Sequence, residues 1–142
     1  MAMTKEGLDL WTRLQPTFNR LMGPWQVGAH CFCLRIKLQG IVVSIANTSV
    51  RVEFENGDCV YRSIKGIRKS SLIRLPLDID RNNPERGLWG MINSFHKRLE
   101  EICTGYEYHR YWEFNDYTHN KTFRAETSTL ALLRALGAQE GV

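Results

Sequence analysis

Between Trp25 and Leu75 the hydrophobic period of this chain is two, and only extended strands that bury one face satisfy such a period. Val50, Val52 and Phe54 alternate with Arg51 and Glu53. Asn56-Gly57 follows, the strongest short-range hairpin signal, and it predicts a type I′ turn whose two central residues both need positive φ. Asp58 to Ile64 is the return strand. Upstream, Cys31 and Cys33 alternate with Phe32, Leu34 and Ile36. After Gly40, the run Ile41-Val42-Val43-Ser44-Ile45 has the β-branched composition of a strand buried on both sides. Ser71 to Leu75 adds a last short strand. Four or five short antiparallel strands over about fifty residues predict a small, strongly bent barrel or roll.

On both sides of this region the period is helical. Thr4 can cap a helix carrying Leu8, Trp11, Leu14, Phe18 and Leu21, and Gly23-Pro24 stops it. Pro16 falls inside the pattern, where it removes a backbone donor, so a kink or two short helices meeting near Gln15 are expected. Residues 76–83 read as a linker, with Pro76 and Pro84 at its margins and no period. Asn83 then caps a helix with Pro84 in its first turn and a stripe of Leu88, Ile92, Phe95, Leu99 and Ile102, ended by Gly105. Tyr106 to Asn115 and Lys121 to Ala125 are two strands, and Thr127 to Leu136 is a closing helix ended by Gly137. The expected fold is α+β: an N-terminal helical segment (1–24), a small antiparallel barrel (25–76) and a helix–strand–strand–helix unit (77–142).

Two resemblances rest on these residues. The pattern Gly40-Ile41-Val42-Val43, then Val50 to Asp58, then a basic stretch and Leu72-Ile73-Arg74-Leu75 resembles an SH3-like barrel of the Tudor/KOW type. The aromatic strand pair followed by Thr127-Ser128-Thr129-Leu130-Ala131-Leu132 resembles small accessory proteins of bacteriophages and prophages. It departs from them at Ser128 or Thr129, where the pattern of those proteins usually has proline. The second resemblance implies a mobile-element origin, a bacterial cytoplasm as the site of action, and an accessory role such as interference with a host defence system.

Composition narrows the chemistry. The 142 residues are 43% apolar and 24% charged, so a packed core is expected and disorder is excluded. No apolar run approaches the ~18 residues of a membrane span, and the N-terminus lacks the layout of a signal peptide. Four cysteines (Cys31, Cys33, Cys59, Cys103) are too few and too irregular for a disulfide framework, which points to a reducing compartment. His30-Cys31-x-Cys33 invites a metal reading. However, residues two apart on a strand share a face, and no Cys-x-x-Cys knuckle completes a tetrahedral set. His96 and His109 lie in contexts unrelated to Cys103, and no phosphate-cradling loop is present. The expectation is a protein that is not an enzyme and takes no cofactor or metal.

Charge is divided unevenly. Residues 1–76 hold 11 Lys and Arg against 5 Asp and Glu, and residues 77–142 hold 8 against 10. The first part therefore attracts anions: nucleic acid or an acidic protein surface. Arg62, Lys65, Arg68, Lys69 and Arg74 lie within thirteen residues, and Arg51 and Lys37 extend the same field. Such side chains can contact phosphates without reading bases. The bland alternative is a solvated basic loop. The alternative binding surface is the aromatic strand, where Tyr111 and Tyr117, with Arg110 beside them, would anchor a protein partner, a host complex or a second copy of the chain. The function expected is binding, with nucleic acid or a nucleic-acid-handling complex as partner, and a protein inhibitor or adaptor as the second reading.

Overall fold

The computed structural model describes residues 4–64, 72–76, 85–105 and 109–142. The fold is α+β, with four helices and two antiparallel sheets among those residues. Contacts divide the chain into two compact units, one of Gln15–Arg81 and one of Met1–Leu14 with Asn82–Val142. The boundary follows the proline. Thr4 caps α1 (Lys5–Arg13), its Oγ1 accepting from the Gly7 N–H at 3.0 Å, and Pro16 sits in the first turn of α2 (Gln15–Met22). The helical segment over 1–24 is thus two helices, one in each unit. No helix among the described residues is long and apolar enough to cross a membrane.

In the unit Gln15–Arg81, five strands form one sheet: β1 (His30–Cys33), β2 (Leu38–Ile45), β3 (Ser49–Phe54), β4 (Cys59–Ser63) and β5 (Leu72–Leu75), in the order β4-β3-β2-β1-β5. Cys31, Cys33, Val42, Val50, Val52, Phe54 and Leu72 make its core, as the alternation requires. Phe32 and Ile73, neighbours in register, are buried on the other face, and α2 packs on β5. The outer edge of β5 is closed by a side chain. The Gln15 amide donates to the Arg74 carbonyl at 3.0 Å and accepts from the Arg74 N–H at 2.8 Å, as a neighbouring strand would.

The hairpin is present, but its turn is not the expected type I′. Gly57 alone has positive φ (93°) in this turn, the Gly57 N–H donates to the Phe54 carbonyl, and Phe54 N donates to Asp58 O. This is a three-residue loop whose third residue is left-handed. Asn56 takes a turn role through its side chain, accepting from the Asp58 N–H at 3.0 Å. The longer loop moves the register by one residue.

Gly40 answers a different constraint. A Cβ there would meet Val52 Cγ1 at 2.5 Å and the Glu53 carbonyl at 2.9 Å. Gly40→Ala is expected to destabilise this unit by about 1–3 kcal/mol, because the obstruction includes backbone that cannot swing away. A lower urea midpoint at unchanged m-value is the signature to look for.

The other unit holds α1, α3 (Glu85–Met91), β6 (Lys97–Thr104), β7 (His109–Asp116), β8 (Lys121–Ala125) and α4 (Ser128–Glu140), with sheet order β6-β7-β8. The long helix expected from Asn83 to Ile102 is replaced by the short α3 and the strand β6. The helix is stopped by side chains from elsewhere in the unit. Gln139 donates to the Met91 carbonyl at 3.1 Å and accepts from the Asn93 N–H at 2.7 Å, while Lys97 Nζ donates to the carbonyls of Trp89 and Ile92. Beyond that stop, all eight residues of β6 pair with β7, from Lys97 opposite Asp116 to Thr104 opposite His109. Leu99 and Ile102 therefore lie on opposite faces, and Phe95 is 95% exposed. From Glu85 onward the order is helix–strand–strand–strand–helix.

α4 lies across β7 and β8 with α1 and α3 beside it, which explains a helix apolar on nearly every side. Thr127, expected as the first residue of this helix, is its N-cap, and the helix runs past Gly137 to Gly141, which adopts the left-handed conformation (φ 71°). Gly137 lies within α4, where an added Cβ would meet Leu10 Cδ2 at 3.4 Å, an ordinary van der Waals distance.

Candidate nucleic-acid interface

On β3 and β4, alternation sends Val50, Val52 and Phe54 to the core and leaves Arg51 and Glu53 in solvent. The hairpin register sets Arg51 directly opposite Tyr61, and Ser44 of β2 lies on the other side of Arg51. Tyr61 is 61% exposed, and Arg51 Nε donates to Cys59 Sγ at 3.1 Å, which holds the guanidinium along the strand surface. A cation and an open aromatic ring thus stand side by side on a rigid sheet. The unit bearing them has ten Lys and Arg against five Asp and Glu over residues 15–81.

Among the described residues, the remaining expected contacts do not form one patch. Lys65, Arg68 and Lys69 lie outside the described residues. Arg62 pairs with the buried Val50 and so turns toward the core side of β4, where its Nε is buried without a hydrogen-bond partner. Lys37 is exposed in the turn before β2, beyond the Phe54 end of the sheet, whereas Arg62 lies opposite Val50, four residues or about 13 Å back along β3 at ~3.3 Å per residue. Arg74 is a clear correction. At 1% exposure it offers nothing to a phosphate on the outer surface; its guanidinium donates to the Gly23 carbonyl and lies 4.7 Å over the Trp25 ring. Tyr61 was missed because a single strand residue beside a basic stretch carries no signal until its register is known.

In the other unit, Arg110 and Tyr111 line a cleft of about 490 Å³ with His109, Arg124, Glu126 and Arg134. Tyr117 follows the far end of β7 and stacks edge-on with His96. The cleft's arginines already have carboxylates: Arg110 with Glu101 at 3.8 Å, Arg124 with Glu113 at 3.0 Å, Arg134 with Glu6 at 2.7 Å. The hydrogen bond from Arg134 holds the Glu6 carboxyl below its ordinary range. A cleft compensated in this way exerts little pull on a polyanion.

Cys31 and Cys33 are both fully buried, and burial, reinforced by the neighbouring Cys33, pushes the Cys31 thiol up to about 12. They act as small core side chains. Among the described residues no group of three His, Cys, Asp or Glu side chains is placed to hold a metal ion.

Ser94, Asp116 and His119 do come together, though not as a relay. Ser94 Oγ donates to Asp116 Oδ1 at 2.6 Å and His119 Nδ1 lies 2.6 Å from Oδ2, so both bind the one carboxylate and neither activates the other. Desolvation would raise the Asp116 pKa, but the hydrogen bonds from Ser94 and His119 outweigh it and the carboxyl titrates below its ordinary value. A lowered folded-state pKa means that this stabilisation is complete above the ordinary carboxylate pKa and is lost as pH falls through the folded value. Asp116→Asn is expected to cost about 1–2 kcal/mol at neutral pH and to flatten the acid limb of a melting-temperature profile. An acid limb as steep as the wild type's would disprove the brace.

Comparison with protein-family models, curated proteins and solved structures returns no match for this chain.

Proposed function

We propose that the protein is a non-enzymatic, nucleic-acid-binding accessory factor whose contact surface is the outward face of β3 and β4. The observation that carries this reading is the exposed Tyr61 set directly opposite Arg51 on a unit with a twofold excess of cations. An aromatic ring on a strand face stacks an unpaired base, and an adjacent guanidinium takes the neighbouring phosphate. Single strands suit this pairing because their bases are free to splay onto the ring. The five short strands of this unit support the SH3-like barrel reading, and a mobile-element role in which such a surface occupies a nucleic-acid site belongs to the same proposal.

Fluorescence anisotropy with labelled single-stranded DNA and RNA oligonucleotides tests it. Binding is expected to weaken linearly in log–log form with salt, with a slope of about −0.7 per phosphate engaged. Affinity unchanged between low and physiological salt, or co-purification of a partner that survives nuclease treatment, would transfer the role to a protein ligand.

A further inference from the structure

Arg74 is among the most deeply buried side chains in the unit Gln15–Arg81, and it is charged. Its backbone belongs to β5 and is tied by Gln15. Its side chain shares a face with Leu72 and Cys31 at the end of the core, reaching the Gly23 carbonyl and the Trp25 ring. Neither of those groups carries charge. Among the described residues no carboxylate pairs with Arg74, and its Nε is buried with no hydrogen-bond partner. A guanidinium without a counter-ion in the interior is costly, and folded proteins ordinarily supply a partner. Burial lowers its pKa from the ordinary arginine value; arginine side chains stay protonated in proteins.

Arg74 also lines a cavity of about 220 Å³, walled by Met22, Pro24, Val27 and Ala29 and completed by Gln26. The walls are mostly apolar and Arg74 is their one charged member. The volume equals about seven waters at ~30 Å³ each. We propose that this cavity binds a small monocarboxylate with a short apolar tail, the carboxylate lying on Arg74 and the tail against Met22, Pro24 and Val27. With Nη1 already donating to Gly23, the rest of the guanidinium suits one carboxylate, whereas a phosphate dianion would need more positive charge than this single cation and the Gln26 amide supply. This site is separate from the β3–β4 face and does not depend on it.

The test uses the full-length protein with butanoate and hexanoate as probes and inorganic phosphate and chloride as controls. Calorimetry is paired with NMR of the Arg74 Nε–H and the Gly28 and Ala29 amides. Saturable one-to-one carboxylate binding at about 1 mM or tighter, with a shifted Nε–H signal, is expected. Arg74→Lys is expected to weaken it about tenfold or more, because a point charge replaces the fork. Should that variant fail to fold, Val27→Trp, at a position 65% exposed, fills the cavity without touching the core and is expected to abolish binding. No saturation by either carboxylate would overturn the proposal, as would preference for phosphate or full binding by Val27→Trp. A ligand-free Arg74 signal that moves in Asp78→Asn/Asp80→Asn would overturn it too, since the counter-charge would then come from the chain itself.

Discussion

The double variant Arg51→Gln/Tyr61→Ala is expected to bind a single-stranded oligonucleotide roughly a hundredfold more weakly than the wild type, with a salt dependence shallower by about 0.7. Loss of a stacked base costs ~1–3 kcal/mol, and loss of one phosphate contact removes its share of counterion release. The two terms separate in the single variants. Tyr61→Ala should lower affinity at every salt concentration and leave the slope alone. Arg51→Gln should change the slope and have its largest effect at low salt. Tyr61→Phe should retain most of the affinity, because stacking uses the ring and not the hydroxyl. Both side chains are exposed, so circular dichroism and the melting temperature are expected to stay as they are. Matched anisotropy titrations of the wild type and the four variants make the measurement. Equal affinities across the set would remove the β3–β4 face from consideration.

Phe114→Ala is expected to destabilise the unit of Met1–Leu14 and Asn82–Val142 by about 3–5 kcal/mol, enough to unfold it at moderate temperature. Phe114 is fully buried in β7, where Trp89 meets it edge to face at 5.9 Å and 89° and Phe123 packs beside it at 6.4 Å. Truncation leaves a cavity between α3 and the sheet and removes both aromatic contacts. Leu99 lies opposite Phe114 on β6, so the strand that replaced half of the expected helix loses its inner-face partner too. Phe114→Leu should recover part of the loss. Urea unfolding followed by far-ultraviolet circular dichroism reads both variants, and a cost below about 1 kcal/mol for the alanine would mean that the ring does not centre this core.

Local chemistry carried much of the fold. Thr4 and Thr127 are caps because a hydroxyl one position before a helix accepts from the first free amides. Pro16 separates two helices, and Val50, Val52 and Phe54 face inward, because donor loss and period two act over a few residues wherever they occur. The helical stripe from Leu88 to Ile102 misled for the same reason. Lys97-Arg98-Leu99-Glu100-Glu101 suits a helix intrinsically, and only pairing with β7, together with Gln139 and Lys97 closing the end of α3, overrides that preference.

The functional surface was less legible because it depends on register and burial. A two-residue turn centred on Asn56-Gly57 would place Arg51 opposite Arg62, whereas the observed loop from Glu55 to Gly57 places it opposite Tyr61 and turns Arg62 away. A slip of one residue exchanges the two faces of a strand, so one extra loop residue exchanged a cation for an aromatic ring on the exposed side. Arg74 reads as a surface cation in a basic stretch, yet pairing of β5 with β1 buries it over Trp25. From the chain alone come the class of fold, the strand periods, the helix caps and the excess of positive charge in its first part, since each is a property of neighbouring residues. Which cations meet solvent, and which ring stands beside them, follow from pairings between strands distant in sequence, whose geometry exists only once the sheet has closed around its core.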